Sequence, residues 1–159
     1  MVKEALQNGE PLIALVATST GLRRGNIVDL QWSQIDFDAR VITVQRTKND
    51  EPLVVPLNKS AMAMLQALPH TDECVFPGVN GHVVSMAFRR AVKRAKVRDF
   101  HFHNLCHTFA SWLRMSGYDI CTIQKLLGHK DLWMTIRYEN LPTEFDCEAV
   151  EGLDDLIGG

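Results

Sequence analysis

Three apolar runs at helical spacing each stop at a glycine, and this punctuation constrains the fold more than any other feature of the chain. Leu12, Ile13, Leu15, Val16 and Ala17 run up to Thr20-Gly21. Leu105, Phe109 and Leu113 stop at Gly117, and Ile120, Ile123, Leu126 and Leu127 stop at Gly128. Glycine enters the left-handed backbone region without a Cβ clash and so ends helices, while spacing near four puts the apolar side chains on one face. The pattern predicts short helices, each laying one face on a core.

A different period interrupts them. From Arg40 to Thr47 the β-branched run Val41-Ile42-Thr43-Val44 predicts a strand, and Leu53-Val54-Val55-Pro56-Leu57 its partner. The turn Lys48-Asn49-Asp50-Glu51 between them makes a small hairpin with Lys48 near its tip. A helical stretch with Ile27, Val28, Leu30 and Trp32 precedes the hairpin, and Asn58 is placed to cap a helix containing Ala61, Met64, Leu65 and Leu68. Pro69 to Gly81 is turn-rich. Ser85 is expected to open a basic helix, Asn104 to begin another, and Asp131 to cap a helix carrying Tyr138. The order predicts a mainly α fold with a small antiparallel β-sheet, in the α+β class. At 159 residues, 46% of them hydrophobic, one domain is expected over residues 1–142, with 143–159 as an acidic C-terminal tail.

Charge is unevenly spread. The net charge is -2, yet residues 1–138 hold all 17 Lys and Arg against 12 acids, a balance of +5. Residues 139–159 hold seven acids and no base. The tail reads either as a solvated end or as a segment that docks on a basic surface in cis or in trans, with Phe145, Val150, Leu153, Leu156 and Ile157 as its apolar side. The densest basic patch is Arg89, Arg90, Lys93, Arg94, Lys96 and Arg98. With Arg24, the residues Arg89, Arg90, Lys93 and Arg94 are the candidates for contact with a nucleic-acid backbone, although a solvated helix face would look the same. The four cysteines form no CxxC pair, so reduced thiols are expected. No run of about 18 apolar residues and no signal peptide is visible, and a cytoplasmic protein without membrane contact is expected.

Three clusters carry candidate chemistry. Thr20-Gly21-Leu22-Arg23-Arg24 delivers two guanidiniums at a helix start, where planar forks and the helix N-terminus suit phosphate. His101 to His107 holds three of the six histidines, and His103, Cys106 and His107 share a face if Asn104 begins the helix. That cluster reads as a phosphate or proton-transfer site, as a metal site, or as a packed helix start; a metal would want a fourth ligand that no HExxH or CxxC pattern supplies. Leu127-Gly128-His129 is followed nine residues after His129 by Tyr138, and a lone tyrosine near a helix end is more often a half-buried packing residue.

In order and spacing, Thr20 to Arg23, Lys48, His103 to Thr108, Leu127 to His129 and Tyr138 resemble the motifs TGxR, a hairpin lysine, HxLRHT, LGH and a following tyrosine of the tyrosine recombinases, or phage integrases. The resemblance covers roughly residues 10–142. It implies a catalytic domain in which Tyr138 attacks a DNA phosphate to give a 3′-phosphotyrosyl link and a free 5′-hydroxyl, with no cofactor and no metal. Arg23 and His129 would hold the non-bridging oxygens, Lys48 would protonate the leaving oxygen, and His103 would orient the phosphate or assist proton transfer. The implied partners are double-stranded DNA and further copies of the chain in a tetrameric synapse. Family members usually carry an N-terminal helical DNA-binding domain, which nothing before residue 10 resembles; a fragment or an unusually short chain that binds DNA weakly is expected.

The chain departs from this pattern at Cys106, where the family has its second catalytic arginine. A thiol offers neither a fork nor a fixed positive charge, so reduced or lost cleavage is expected, and a DNA-binding or regulatory relative without the chemistry is the alternative. Asn26 stands where many members have an acid, a milder change because its amide still accepts a hydrogen bond.

Overall fold

A computed structural model of the protein describes residues 10–45 and 52–141. The described residues are mainly helical with one small antiparallel sheet, the class that the patterning predicts. The chain divides into two compact units, Met1–Phe109 and Ala110–Gly159.

In the first unit the order is α1 (Glu10–Thr20), α2 (Arg24–Val28), a 3-10 turn (Trp32–Gln34), β1 (Ile35–Asp36), β2 (Val41–Val44), β3 (Leu53–Pro56), α3 (Lys59–Gln66) and α4 (Gly81–Arg94). Helix α5 (Asn104–Met115) starts here. Ile13, Val16 and Ala17 are buried, and through them α1 packs on α2, α3 and α4. The sheet runs β1-β2-β3 with Ile42 opposite both Ile35 and Val55. Alternation along β2 buries Ile42 and Val44, and these join Leu30, Leu65, Val84, Phe102 and Leu105 in one core. Strand β1 adds a third member to the expected hairpin; at two residues it is too short to show a period of two. The hairpin turn with Lys48 lies outside the described residues.

Asn58 caps α3 as expected, its Oδ1 accepting the Ala61 N–H at 2.8 Å. Helix α4 corrects the expected start at Ser85. Asn80 Oδ1 accepts the N–H groups of His82 and Val83 at 3.0 Å each, so the helix begins at Gly81 and gains a turn that buries Val84. A good cap outside the basic stretch, not the first basic residue, sets the boundary.

The second unit holds the rest of α5, then α6 (Ile120–Leu127) and two 3-10 turns, Leu132–Met134 and Ile136–Tyr138. Gly117 ends α5 at φ 85° and Gly128 ends α6 at φ 61°, with paired bonds in each case: Gly117 N–H to Arg114 and Tyr118 N–H to Leu113, Gly128 N–H to Lys125 and His129 N–H to Gln124. These pairs satisfy the last helical carbonyls and need a left-handed residue between them. Asp119 caps α6, and bonds from the Thr122 side chain and backbone hold its carboxyl below the ordinary carboxylate value. Asp131 caps only the first 3-10 turn. The single helix expected from Asp131 to Tyr138 is instead two turns joined at Thr135 (φ -103°, ψ -24°).

Candidate active site

Arg23 is presented by a turn built from buried polar bonds. The Thr20 hydroxyl donates to the Val16 carbonyl at 2.6 Å and accepts the Leu22 N–H at 3.3 Å, while Gly21, at φ 69°, donates to Ala17 across the helix end. Only a left-handed residue lets the chain leave α1 so abruptly. Leu22 then plugs the core, and Arg23, extended at φ -70°, ψ 148°, faces outward at the start of α2.

His103 reaches the same place from the other side of the sequence. Phe102 is buried and meets Phe88 of α4 edge-on, ring centroids 5.3 Å apart. The next residue, His103, is thereby left exposed at the start of α5. Arg23, Arg24, Gly25, Phe102 and His103 line one open cleft of about 290 Å³. The His103 and His107 rings meet edge to face at 4.9 Å.

Cys106 points inward. Its thiol donates to the Leu22 carbonyl at 3.3 Å, so it anchors the Arg23 turn from beneath. Burial pushes the Cys106 thiol above its ordinary value of 9.0, against the opposing pull of the Arg23 guanidinium. The thiol is therefore neutral near pH 7 and adds no charge to the cleft. His103, Cys106 and His107 do share the start of α5, but the thiol is turned to a backbone carbonyl; among the described residues no three His, Cys, Asp or Glu side chains converge as metal ligands.

Of the candidate DNA contacts, Arg89, Arg90, Lys93 and Arg94 are exposed along α4. Arg24 is engaged within the protein: its guanidinium donates to Ser85 Oγ. It also lies where a Cβ on Gly81 would come within 3.0 Å of its Nε.

In the second unit His129 and Tyr138 are joined through a residue that sequence reasoning passed over. His129 Nδ1 and Thr135 Oγ1 are 2.8 Å apart, and the Thr135 carbonyl accepts the Tyr138 N–H at 3.0 Å. The backbone of His129 is held at both ends by Gln124, whose carbonyl accepts its N–H at 3.1 Å and whose side chain donates to its carbonyl at 3.2 Å. Tyr138 is buried, 5% exposed. Just beyond it, Arg114 Nη2 and Nε donate to the Glu139 carbonyl at 3.2 and 3.4 Å. Thr135 sits among Met, Ile and Trp neighbours with no motif around it; its only sequence signal is a polar residue where the pattern calls for burial. Among the described residues, no helix is long and apolar enough to cross a membrane.

Residues 4–144 match the model of the phage integrase family. The integrase of Salmonella phage P22 is 34% identical, over 94% of this chain and 44% of its own length. The catalytic domain of bacteriophage HP1 integrase superposes with a TM-score of 0.70 at 28% identity, over 91% of this chain and 82% of that one. The Tn1549 transposon integrase, solved in complex with circular intermediate DNA, has the same fold at 20% identity, with a TM-score of 0.73 over 92% of this chain and 59% of that one. The chain thus spans less than half the length of the curated P22 relative that it matches.

Proposed function

The chain belongs to the phage integrase family, the tyrosine recombinases, and from that membership we propose that it cleaves and rejoins double-stranded DNA through a covalent link to Tyr138. The observation that carries the reading is the cleft where Arg23 and His103, 80 positions apart in the sequence, line one exposed surface. A guanidinium and an imidazole side by side on a floor of buried side chains are what a phosphate needs.

In this reading the Tyr138 phenolic oxygen attacks phosphorus as its proton passes to His103, the 3′-phosphotyrosyl bond forms, and the bond to the 5′ oxygen breaks with a proton from Lys48. Negative charge builds on the non-bridging oxygens, and preorganised donors at Arg23 and His129 stabilise it more in the transition state than in the ground state. The new bond stores the energy of the old one, so a second 5′-hydroxyl can reverse the step on another strand. Tyr138 has to leave its buried position to reach a phosphate. Short 3-10 turns hold it, and these open at lower cost than a long α-helix.

Cys106 weakens this chemistry. Losing one preorganised donor costs roughly 3–4 kcal/mol, about 10² to 10³ in rate, and a buried neutral thiol replaces none of it. That observation favours a second reading, a relative that binds DNA through Arg89, Arg90, Lys93 and Arg94 and cleaves it slowly or not at all. Assembly into a tetrameric synapse belongs to the first reading. A nicked suicide substrate separates the two. Cys106→Arg should raise the covalent adduct by about 10²- to 10³-fold, on the order of the lost donor, and Tyr138→Phe should abolish it. No adduct from wild type or Cys106→Arg, with DNA still bound in a salt-dependent manner, would favour the second reading.

A further inference from the structure

We propose that Thr135 is a positioning residue that holds the His129 ring in the neutral form protonated on Nε2. The role of that ring in catalysis rests on the recombinase reading above; the coupling of the two side chains does not.

Thr135 is 0% exposed, and a buried hydroxyl needs an acceptor for its proton. Among the described residues the partner of Thr135 Oγ1 is His129 Nδ1, at 2.8 Å. If the hydroxyl donates there, Nδ1 must carry a lone pair, and the ring proton of a neutral imidazole is then on Nε2. The opposite arrangement, with Nδ1–H donating to the hydroxyl, leaves the Thr135 proton without an acceptor in surroundings that water does not reach.

Gly128 and the two bonds from Gln124 fix the His129 backbone, but neither fixes the ring. Thr135 does, and its own backbone is fixed in turn, its N–H donating to Leu132 at 2.8 Å and its carbonyl accepting from Tyr138. One residue therefore bonds the ring of His129 and accepts the backbone N–H of Tyr138. For a phosphate the consequence is specific: a ring protonated on Nε2 presents an N–H donor on the side away from Thr135 without needing to be charged.

Two measurements on the full chain test this. Long-range ¹H–¹⁵N spectra at a pH where the ring is neutral should show one His129 tautomer, with the proton on Nε2, in wild type and in Thr135→Ser. Thr135→Val, which keeps the shape and removes the hydroxyl, should show a mixture. A wild-type ring protonated on Nδ1, or a Thr135→Val spectrum identical to wild type, would overturn the proposal. On a nicked suicide substrate, in wild type and in the Cys106→Arg background, Thr135→Val should slow adduct formation roughly 10- to 100-fold, as loss of a group that orients a histidine typically does. Thr135→Ser should restore most of the rate, with DNA affinity unchanged in both. If no variant forms an adduct, the recombinase reading fails while the spectra still decide the Thr135 coupling. If Thr135→Val does not fold, the wild-type and Thr135→Ser spectra decide it.

Discussion

The turn that carries Arg23 and the turn that carries Tyr138 are built in opposite ways. Around Arg23 the scaffold is buried and the functional side chain exposed: Thr20 and Leu22 lie inside the core, Cys106 bonds the turn from below, and the guanidinium faces a cleft. Around Tyr138 the side chain is buried and the scaffold exposed: Leu132, Trp133 and Met134 stand out from the preceding turn, Trp133 by 73%. A side chain held on a buried frame is preorganised for its target. One tucked under an exposed frame of 3-10 turns is available only when that frame opens, so the same kind of substitution should act on stability in the first turn and on availability in the second.

The strongest challenge to that contrast is Leu22→Ala. Removing a fully buried leucine from beneath Arg23 should cost about 2–5 kcal/mol, read as a fall in the urea midpoint. A cost below about 1 kcal/mol would mean that the Arg23 turn is no better supported than the Tyr138 turn.

Gly128→Ala acts on the second turn. A Cβ at φ 61° should cost about 1–2 kcal/mol, and displacement of His129 should slow adduct formation by more than the stability loss explains. Equal effects on stability and on rate would place Gly128 with the Arg23 scaffold.

The smallest expected effect is at Cys106. Its thiol is raised in the folded protein above the ordinary 9.0, so the folded state keeps a proton that the unfolded state loses. The sign follows: the contribution is complete below pH 9.0 and falls away as pH rises through the folded value. Comparison of wild type with Cys106→Ser in alkaline denaturation should show it. At neutral pH the exposed Cys121 should react with a maleimide well before the buried Cys106; equal rates would show that the floor beneath Arg23 is open to solvent rather than a buried frame.

Much of the fold was legible because its signals are local. Glycines after apolar runs mark the ends of α1, α5 and α6, Asn58 caps α3, and a β-branched pair of runs makes β2 and β3. The errors were local as well. Asn80 outcompetes Ser85 as a start because its side chain reaches two backbone N–H groups, and the helix expected through Tyr138 is two 3-10 turns meeting at Thr135, whose side chain bonds His129. Strand β1 leaves no periodic trace.

By itself the sequence determined the helical class, the hairpin, the order of the motifs and membership of the integrase family, since each depends on residue type and spacing along one stretch of chain. Tertiary structure alone decided which groups face one another. It turned the thiol of Cys106 to the Leu22 carbonyl, closed Arg24 on Ser85, brought Arg23 and His103 to one cleft, and gave the Thr135 hydroxyl to His129. The reason is physical: a hydrogen bond or a desolvated thiol is made by neighbours that the fold brings together, and no periodicity along the chain records them.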